Sequence, residues 1–80
     1  MRELLEYIVK NLVTKPDEVK IEEENSQDTI NFNLTVAAED MGLVIGKSGQ
    51  TIRAIRRILV TRAMAENPNI RVNLNLQEVK

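Results

Sequence analysis

The chain has no cysteine, no histidine and no tryptophan, and only two aromatic residues, Tyr7 and Phe32. Without cysteine there is no disulfide framework and no thiolate chemistry, which suits a reducing compartment. Without histidine the commonest general base and the commonest metal ligand are missing. Strictly apolar runs are no longer than three residues, as in Leu43-Val44-Ile45, whereas a membrane span needs about 20. Residues 1–13 include Arg2, Glu3, Glu6 and Lys10, so no apolar signal-peptide core is expected there, and a cytoplasmic location is the default expectation. The 80 residues make one domain, residues 1–80. A chain of this size buries only about 60–65% of its unfolded surface, so a deep catalytic cavity is not expected. No nucleophile–base pair and no metal cluster is visible. An enzyme is the weakest reading, and no cofactor is expected.

The net charge of −1 looks wrong for binding a polyanion, but its distribution changes that judgement. Between Asp40 and Glu66 there is no acidic residue, while Lys47, Arg53, Arg56, Arg57 and Arg62 all fall there. The acids gather elsewhere, notably at Asp17, Glu18, Glu22, Glu23, Glu24 and Asp28. A polyanion responds to the field within a Debye length of the surface, about 10 Å at moderate salt, rather than to the total charge. A solvated basic helix face is the competing explanation.

Apolar periodicity divides the chain into six elements. Leu4, Ile8 and Leu12, with Leu5, Val9 and Val13 beside them, predict an amphipathic helix over 3–13. It stops before Pro16, because the residue preceding a proline avoids helical geometry. A strand is expected near 18–24, with Val19 and Ile21 on one face. Asn25-Ser26-Gln27-Asp28 reads as a turn. The alternation of Ile30, Phe32, Leu34 and Val36 with Asn31, Asn33 and Thr35 predicts a second strand, paired with the first as a hairpin. A short helix is expected from Glu39-Asp40, where acids favour a helix N-terminus, to Ile45. A longer one follows from Gln50 to Glu66, with Ile52, Ile55, Leu59 and Ala63 on one side and Arg53 and Arg57 opposite. After Asn67-Pro68-Asn69 a last strand turns Ile70, Val72, Leu74 and Leu76 inward. The order α-β-β-α-α-β predicts an α+β fold in which three helices cover one face of a three-stranded sheet.

Gly46-Lys47-Ser48-Gly49 joins the two later helices. Its glycines permit a sharp turn and a close ligand approach. The helix that follows offers unpaired N–H groups and the positive end of its dipole, features that favour an anion such as phosphate. Lys47 adds a charge and Ser48 a hydroxyl. A plain helix–helix turn accounts for the same four residues. A nucleotide-binding P-loop does not, because that motif needs four residues between its glycines and Gly42 and Gly46 enclose three.

The run Val44-Ile45-Gly46-Lys47-Ser48-Gly49-Gln50-Thr51-Ile52-Arg53-Ala54-Ile55 resembles the signature of KH domains: an apolar pair, Gly-x-x-Gly, and an isoleucine three residues on. Glu39-Asp40-Met41-Gly42-Leu43 resembles bacterial examples, and the element order is similar to the type II, prokaryotic arrangement. The resemblance covers essentially the whole chain and is strongest to small stand-alone bacterial members.

The resemblance implies a clamp on about four nucleotides of single-stranded RNA or DNA, with the glycine loop on the backbone. Backbone N–H groups of Gly46, Lys47, Ser48 and Gly49 would meet phosphates, with Lys47 assisting. Val44, Ile45 and Ile52 would form or support an apolar floor under the bases. The edge of the last strand near Ile70 and Val72 would face base edges. Charge placement adds Arg53, Arg56 and Arg57. Neither aromatic residue lies near the loop in sequence, so stacking worth about 1–3 kcal/mol per base is not on offer. Weak, salt-sensitive and poorly sequence-specific binding by one copy is expected. Pairing two copies would strengthen it, and the resemblance implies a homodimer or a heterodimer with a larger KH protein, in the service of RNA fate and of cell elongation and division. Ile58, Val60 and Met64 could serve such an interface or simply widen the core face. A protein-interaction module without RNA affinity is the alternative. Acidic residues at positions 47 and 48 would favour it, and neither residue is acidic.

Overall fold

The computed structural model describes residues 1–79. It contains α1 (Arg2–Lys10), β1 (Lys20–Asn25), β2 (Thr29–Val36), α2 (Met41–Ile45), α3 (Gln50–Met64) and β3 (Arg71–Glu78), with single 3-10 turns at Pro16–Glu18, Ala38–Asp40 and Lys47–Gly49. The sheet order is β1-β2-β3. β1 and β2 form the expected antiparallel hairpin, with Ile21 opposite Leu34. β3 lies parallel to β2, with Val72 opposite Ile30. A parallel neighbour requires a crossover, and residues 37–70, containing α2, the glycine loop and α3, provide it.

The period-two pattern of β2 sorts its residues by face. Phe32, Leu34 and Val36 are buried, and they join Leu5 and Val9 of α1, Val44 of α2, Ile55, Leu59 and Ala63 of α3, and Ile21 and Val72 in one core. The opposite face is polar, and its side chains pair across the parallel strands. Asn73 Nδ2 donates to Asn31 Oδ1 (2.8 Å), Asn75 Nδ2 to Asn33 Oδ1 (3.2 Å) and Gln77 Nε2 to Thr35 Oγ1 (3.0 Å). These pairs follow the backbone register. A one-residue slip would exchange the two faces, so the amide ladder and the core specify the same alignment.

Several boundaries differ from expectation. α1 ends at Lys10 rather than residue 13, because Asn11 Nδ2 donates to the Tyr7 carbonyl (2.7 Å) and the N–H groups of Leu12 and Val13 both turn to Val9. Leu12 and Val13 still pack against the core, so their spacing reports burial rather than helix. β1 begins at Lys20, because Pro16 opens a 3-10 turn that occupies the expected first residues of the strand. α3 ends two residues early, at Met64. Ile70 stands before β3, with its N–H bonded to the Asn67 carbonyl (3.1 Å), and the strand continues to Glu78.

The largest revision concerns Asp40, expected only as a favourable charge at a helix start. It is fully buried and its carboxylate makes no cap hydrogen bond to α2. Instead Oδ1 accepts from the Thr14 N–H (3.0 Å) and hydroxyl (2.7 Å), and Oδ2 accepts from the Lys15 N–H (3.0 Å). Three donors compensate the buried charge, as burial of a carboxylate demands. They hold its pKa below the ordinary aspartate value, the Thr14 hydroxyl contributing most, with burial acting in opposition. Glu39 adds an exposed ion pair to Lys15 Nζ (2.8 Å), which raises the lysine pKa. The segment after α1 is thereby tied to the start of α2.

Candidate nucleic-acid interface

The glycine loop begins where α2 runs out. The Gly46 N–H closes the last turn on the Gly42 carbonyl (2.9 Å), and the Gly49 N–H bonds back to the Gly46 carbonyl (3.1 Å). Gly46 has φ 76° and ψ 172°, a conformation essentially confined to glycine. Gly49 has φ 76° and ψ 14°, and between them Ser48 is also left-handed at φ 55° and ψ 26°. Ser48 is the one non-glycine residue with positive φ among the described residues. Lys47 and Ser48 are exposed.

Each glycine is backed by a side chain from the first turns of α3. A Cβ added to Gly46 would overlap the Thr51 hydroxyl and lie 2.7 Å from Thr51 Cβ and 2.8 Å from Thr51 N. A Cβ on Gly49 would lie 3.0 Å from Arg53 Nη1. Arg53 therefore reaches back over the loop. Arg56 and Arg57 are exposed further along α3. Among the described residues none of Lys47, Arg53, Arg56 and Arg57 makes an ion pair, whereas Arg62 approaches Glu66 at 4.0 Å. Among the described residues these four positive charges are thus unpaired.

The expected apolar floor divides. Val44 is fully buried in the core, and Ile52 is half-buried against it. Ile45 is 36% exposed and Leu43 45%. Successive helical residues are about 100° apart, so Leu43 and Ile45 flank the buried line of Val44 on either side. Leu43 was not singled out from sequence, because its place beside Ile45 is visible only once Val44 is known to face inward. Val72 is buried and Ile70 half-buried, so what the strand can present is backbone. The Arg71 N–H bonds to Asp28 (2.8 Å) and the Val79 N–H to Val36 (2.9 Å). Odd-numbered residues of β3 therefore point their backbone groups at β2. Those of Val72, Leu74 and Leu76 point to the open edge, because alternate residues of a parallel strand face opposite neighbours. The two sheet edges are guarded differently. β1 carries Lys20, Glu22, Glu23 and Glu24, while β3 is charged only at its ends, Arg71 and Glu78. Charges blunt an edge against added strands, so the β3 edge is the more receptive.

A groove of about 990 Å³ runs along α3, bordered by Arg53, Arg57, Ala54, Ile58 and Thr61, and by Leu4 of α1. Ile58 and Met64 are exposed, while Val60 packs against the core. Among the described residues no three acidic side chains converge to hold a metal ion, and no helix is long and apolar enough to cross a membrane.

Helix-strand-strand-helix-helix-strand around a mixed sheet, with Gly-x-x-Gly between the last two helices, defines a KH domain of the type II arrangement. Residues 2–76 match the family model described as KhpA/KhpB, KH domain, and the chain belongs to that family. It is 49% identical to RNA-binding protein KhpA of Chlamydia pneumoniae over 80 residues, all of both chains. It is 50% identical to RNA-binding protein KhpA of Chlamydia trachomatis, covering 98% of this chain and 97% of that one. RNA-binding protein KhpA of Clostridium acetobutylicum is 45% identical over 92% of this chain and 99% of its own. The fold also recurs in a crystal structure of an Aquifex aeolicus Era variant bound to GDP and AlF4−. The TM-score is 0.68 at 12% identity, over 96% of this chain and 30% of that longer one.

Proposed function

We propose that this protein is a non-catalytic RNA-binding module that grips the backbone of single-stranded RNA with the Gly46–Gly49 loop. The observation that carries the reading is the left-handed glycine loop at the head of α3, with Lys47 in it, Arg53 against it and Arg56 and Arg57 further along the same helix, none of them paired to a carboxylate among the described residues. The relatives named RNA-binding protein KhpA support RNA as the polyanion. In this reading backbone N–H groups of the loop hold a phosphate while Lys47 and Arg53 neutralise it. Ile45 and Leu43 lie under the bases, supported by Val44 and Ile52, and the strand edge from Ile70 through Val72 faces base edges. Affinity falls as salt rises, because each neutralised phosphate releases counterions.

The double variant Lys47→Asp with Ser48→Asp tests this. Its binding to single-stranded RNA, measured at two salt concentrations, should fall at least tenfold with circular dichroism unchanged. A folded variant with undiminished affinity would sink the loop clamp. One such site is weak, and linking two raises avidity without new contacts. The exposed Ile58 of the α3 groove and the exposed Met64 of the same helix support pairing with a second copy or with a larger KH protein of the KhpB kind. Sedimentation of the wild type against Ile58→Asp reads this out, with dissociation on substitution the expected result. The cellular reading is cytoplasmic control of RNA fate, and through it of cell elongation and division. Cell length after depletion tests that.

A further inference from the structure

Thr51 stands two residues beyond the glycine loop, in the first turn of α3. Its side chain occupies the space that a Cβ at residue 46 would need, so its hydroxyl rests directly on the Cα of the loop's first glycine. Among the described residues that hydroxyl has no hydrogen-bond partner, unlike that of Thr61, which donates to the Arg57 carbonyl (2.8 Å) further along the same helix. Thr51 is half-buried, yet no buried side-chain oxygen or nitrogen among the described residues lacks a partner. The Thr51 oxygen is therefore not sealed from solvent, although it packs beside Gly46. Arg53 leans over the other glycine, Gly49. The loop is thus framed by one neutral donor and one cation, both from the first turns of the same helix.

We propose that Thr51 is a further nucleic-acid contact: its hydroxyl donates a hydrogen bond to the phosphate seated on the Gly46–Gly49 loop. A phosphate oxygen over the loop is an acceptor of the charged kind, for which hydrogen bonds are strongest. The Thr51 hydroxyl can donate without first breaking a bond inside the protein. The inference rests on the loop clamp proposed above and assigns it a third side chain besides Lys47 and Arg53.

Two substitutions separate the hydroxyl from the bulk of the side chain. Thr51→Val keeps the branched shape against Gly46 and removes the donor. Thr51→Ser keeps the donor and removes the methyl. Binding of short single-stranded RNA of randomised sequence is measured across a salt series, with Tm and circular dichroism confirming the fold. Thr51→Val should bind about tenfold more weakly, and Thr51→Ser should stay within about twofold of wild type. Thr51→Ala, the second variant without a donor, should match Thr51→Val. The loss should be the same at every salt concentration, because a neutral hydroxyl releases no counterion, while Arg53→Gln should also flatten the salt dependence. Wild-type affinity in Thr51→Val would overturn the proposal. So would a fall in Thr51→Ser as deep as that in Thr51→Val, because the side chain would then act only as a wedge. If wild type itself fails to bind the RNA, the loop clamp is what has failed, and this assignment falls with it.

Discussion

The two ends of α2, a helix of only five residues, handle their polar groups in opposite ways. At its start the Asp40 carboxylate is fully buried and every bond it makes goes to Thr14 and Lys15. At its end Gly46 opens a left-handed loop whose charged and hydroxyl side chains, Lys47 and Ser48, are exposed and have no partner among the described residues. Satisfied polar groups fix a structure, and unsatisfied exposed ones are available to a ligand. One short helix thus separates a buried anchor from the loop proposed as the grip. Its buried Val44 joins both to the core.

The comparison breaks most severely at the anchor. Asp40→Ala leaves the N–H groups of Thr14 and Lys15 and the Thr14 hydroxyl without their acceptor. Tm should fall on the order of 10 °C, while the RNA affinity of the molecules still folded changes little. Thermal melts set beside binding at low temperature read both quantities. The reverse outcome, affinity lost with Tm intact, would show that the anchor and the grip are not separate.

Gly46→Ala acts at the other end. The new Cβ meets Thr51 side chain and backbone, and the backbone conformation itself costs a non-glycine residue about 1–3 kcal/mol. RNA binding should fall by at least tenfold, with a drop in Tm on the order of 5–10 °C. Relief through loop movement is the expected structural response, visible as shifted amide resonances at 46–51.

Acid sharpens the distinction. The folded-state pKa of Asp40 is depressed, so it contributes stability above the unfolded-state pKa and loses that stability as pH falls through the folded value. Tm of the wild type should decline as pH drops below the ordinary aspartate value of 3.8. Asp40→Asn should start lower at neutral pH and decline less over the same window. Equal slopes in the two proteins would place the acid sensitivity elsewhere. The smallest effect belongs to the exposed partner of the anchor. Glu39→Gln removes the ion pair to Lys15, and because exposed pairs contribute little, Tm should move by no more than about 2 °C.

How much of this was legible beforehand depended on whether a pattern repeats along the chain. The alternation in β2 and the four-residue spacing in α3 located the core at Phe32, Leu34, Val36, Ile55 and Leu59, and the Gly-x-x-Gly run located the loop between two helices. Long-range pairings leave no local periodicity. Nothing near Asp40 announces Thr14, which lies 26 residues away. Nothing in Gln50-Thr51-Ile52 announces that Thr51 fills the space beside Gly46. Leu12 and Val13 show the opposite limit: helical spacing continued past Lys10 because the core needs apolar contacts there, although an asparagine side chain had already ended the helix.

If the Gly46–Gly49 loop is the grip, the acidic β1–β2 hairpin takes no part in binding RNA. Amide chemical shifts followed during titration with single-stranded RNA test this most directly. The largest changes are expected at residues 43–53 and along the β3 edge near Val72, with Glu22, Glu23, Glu24 and Asp28 unmoved. Shifts centred on the β1–β2 hairpin, or none at Gly46–Gly49, would contradict it.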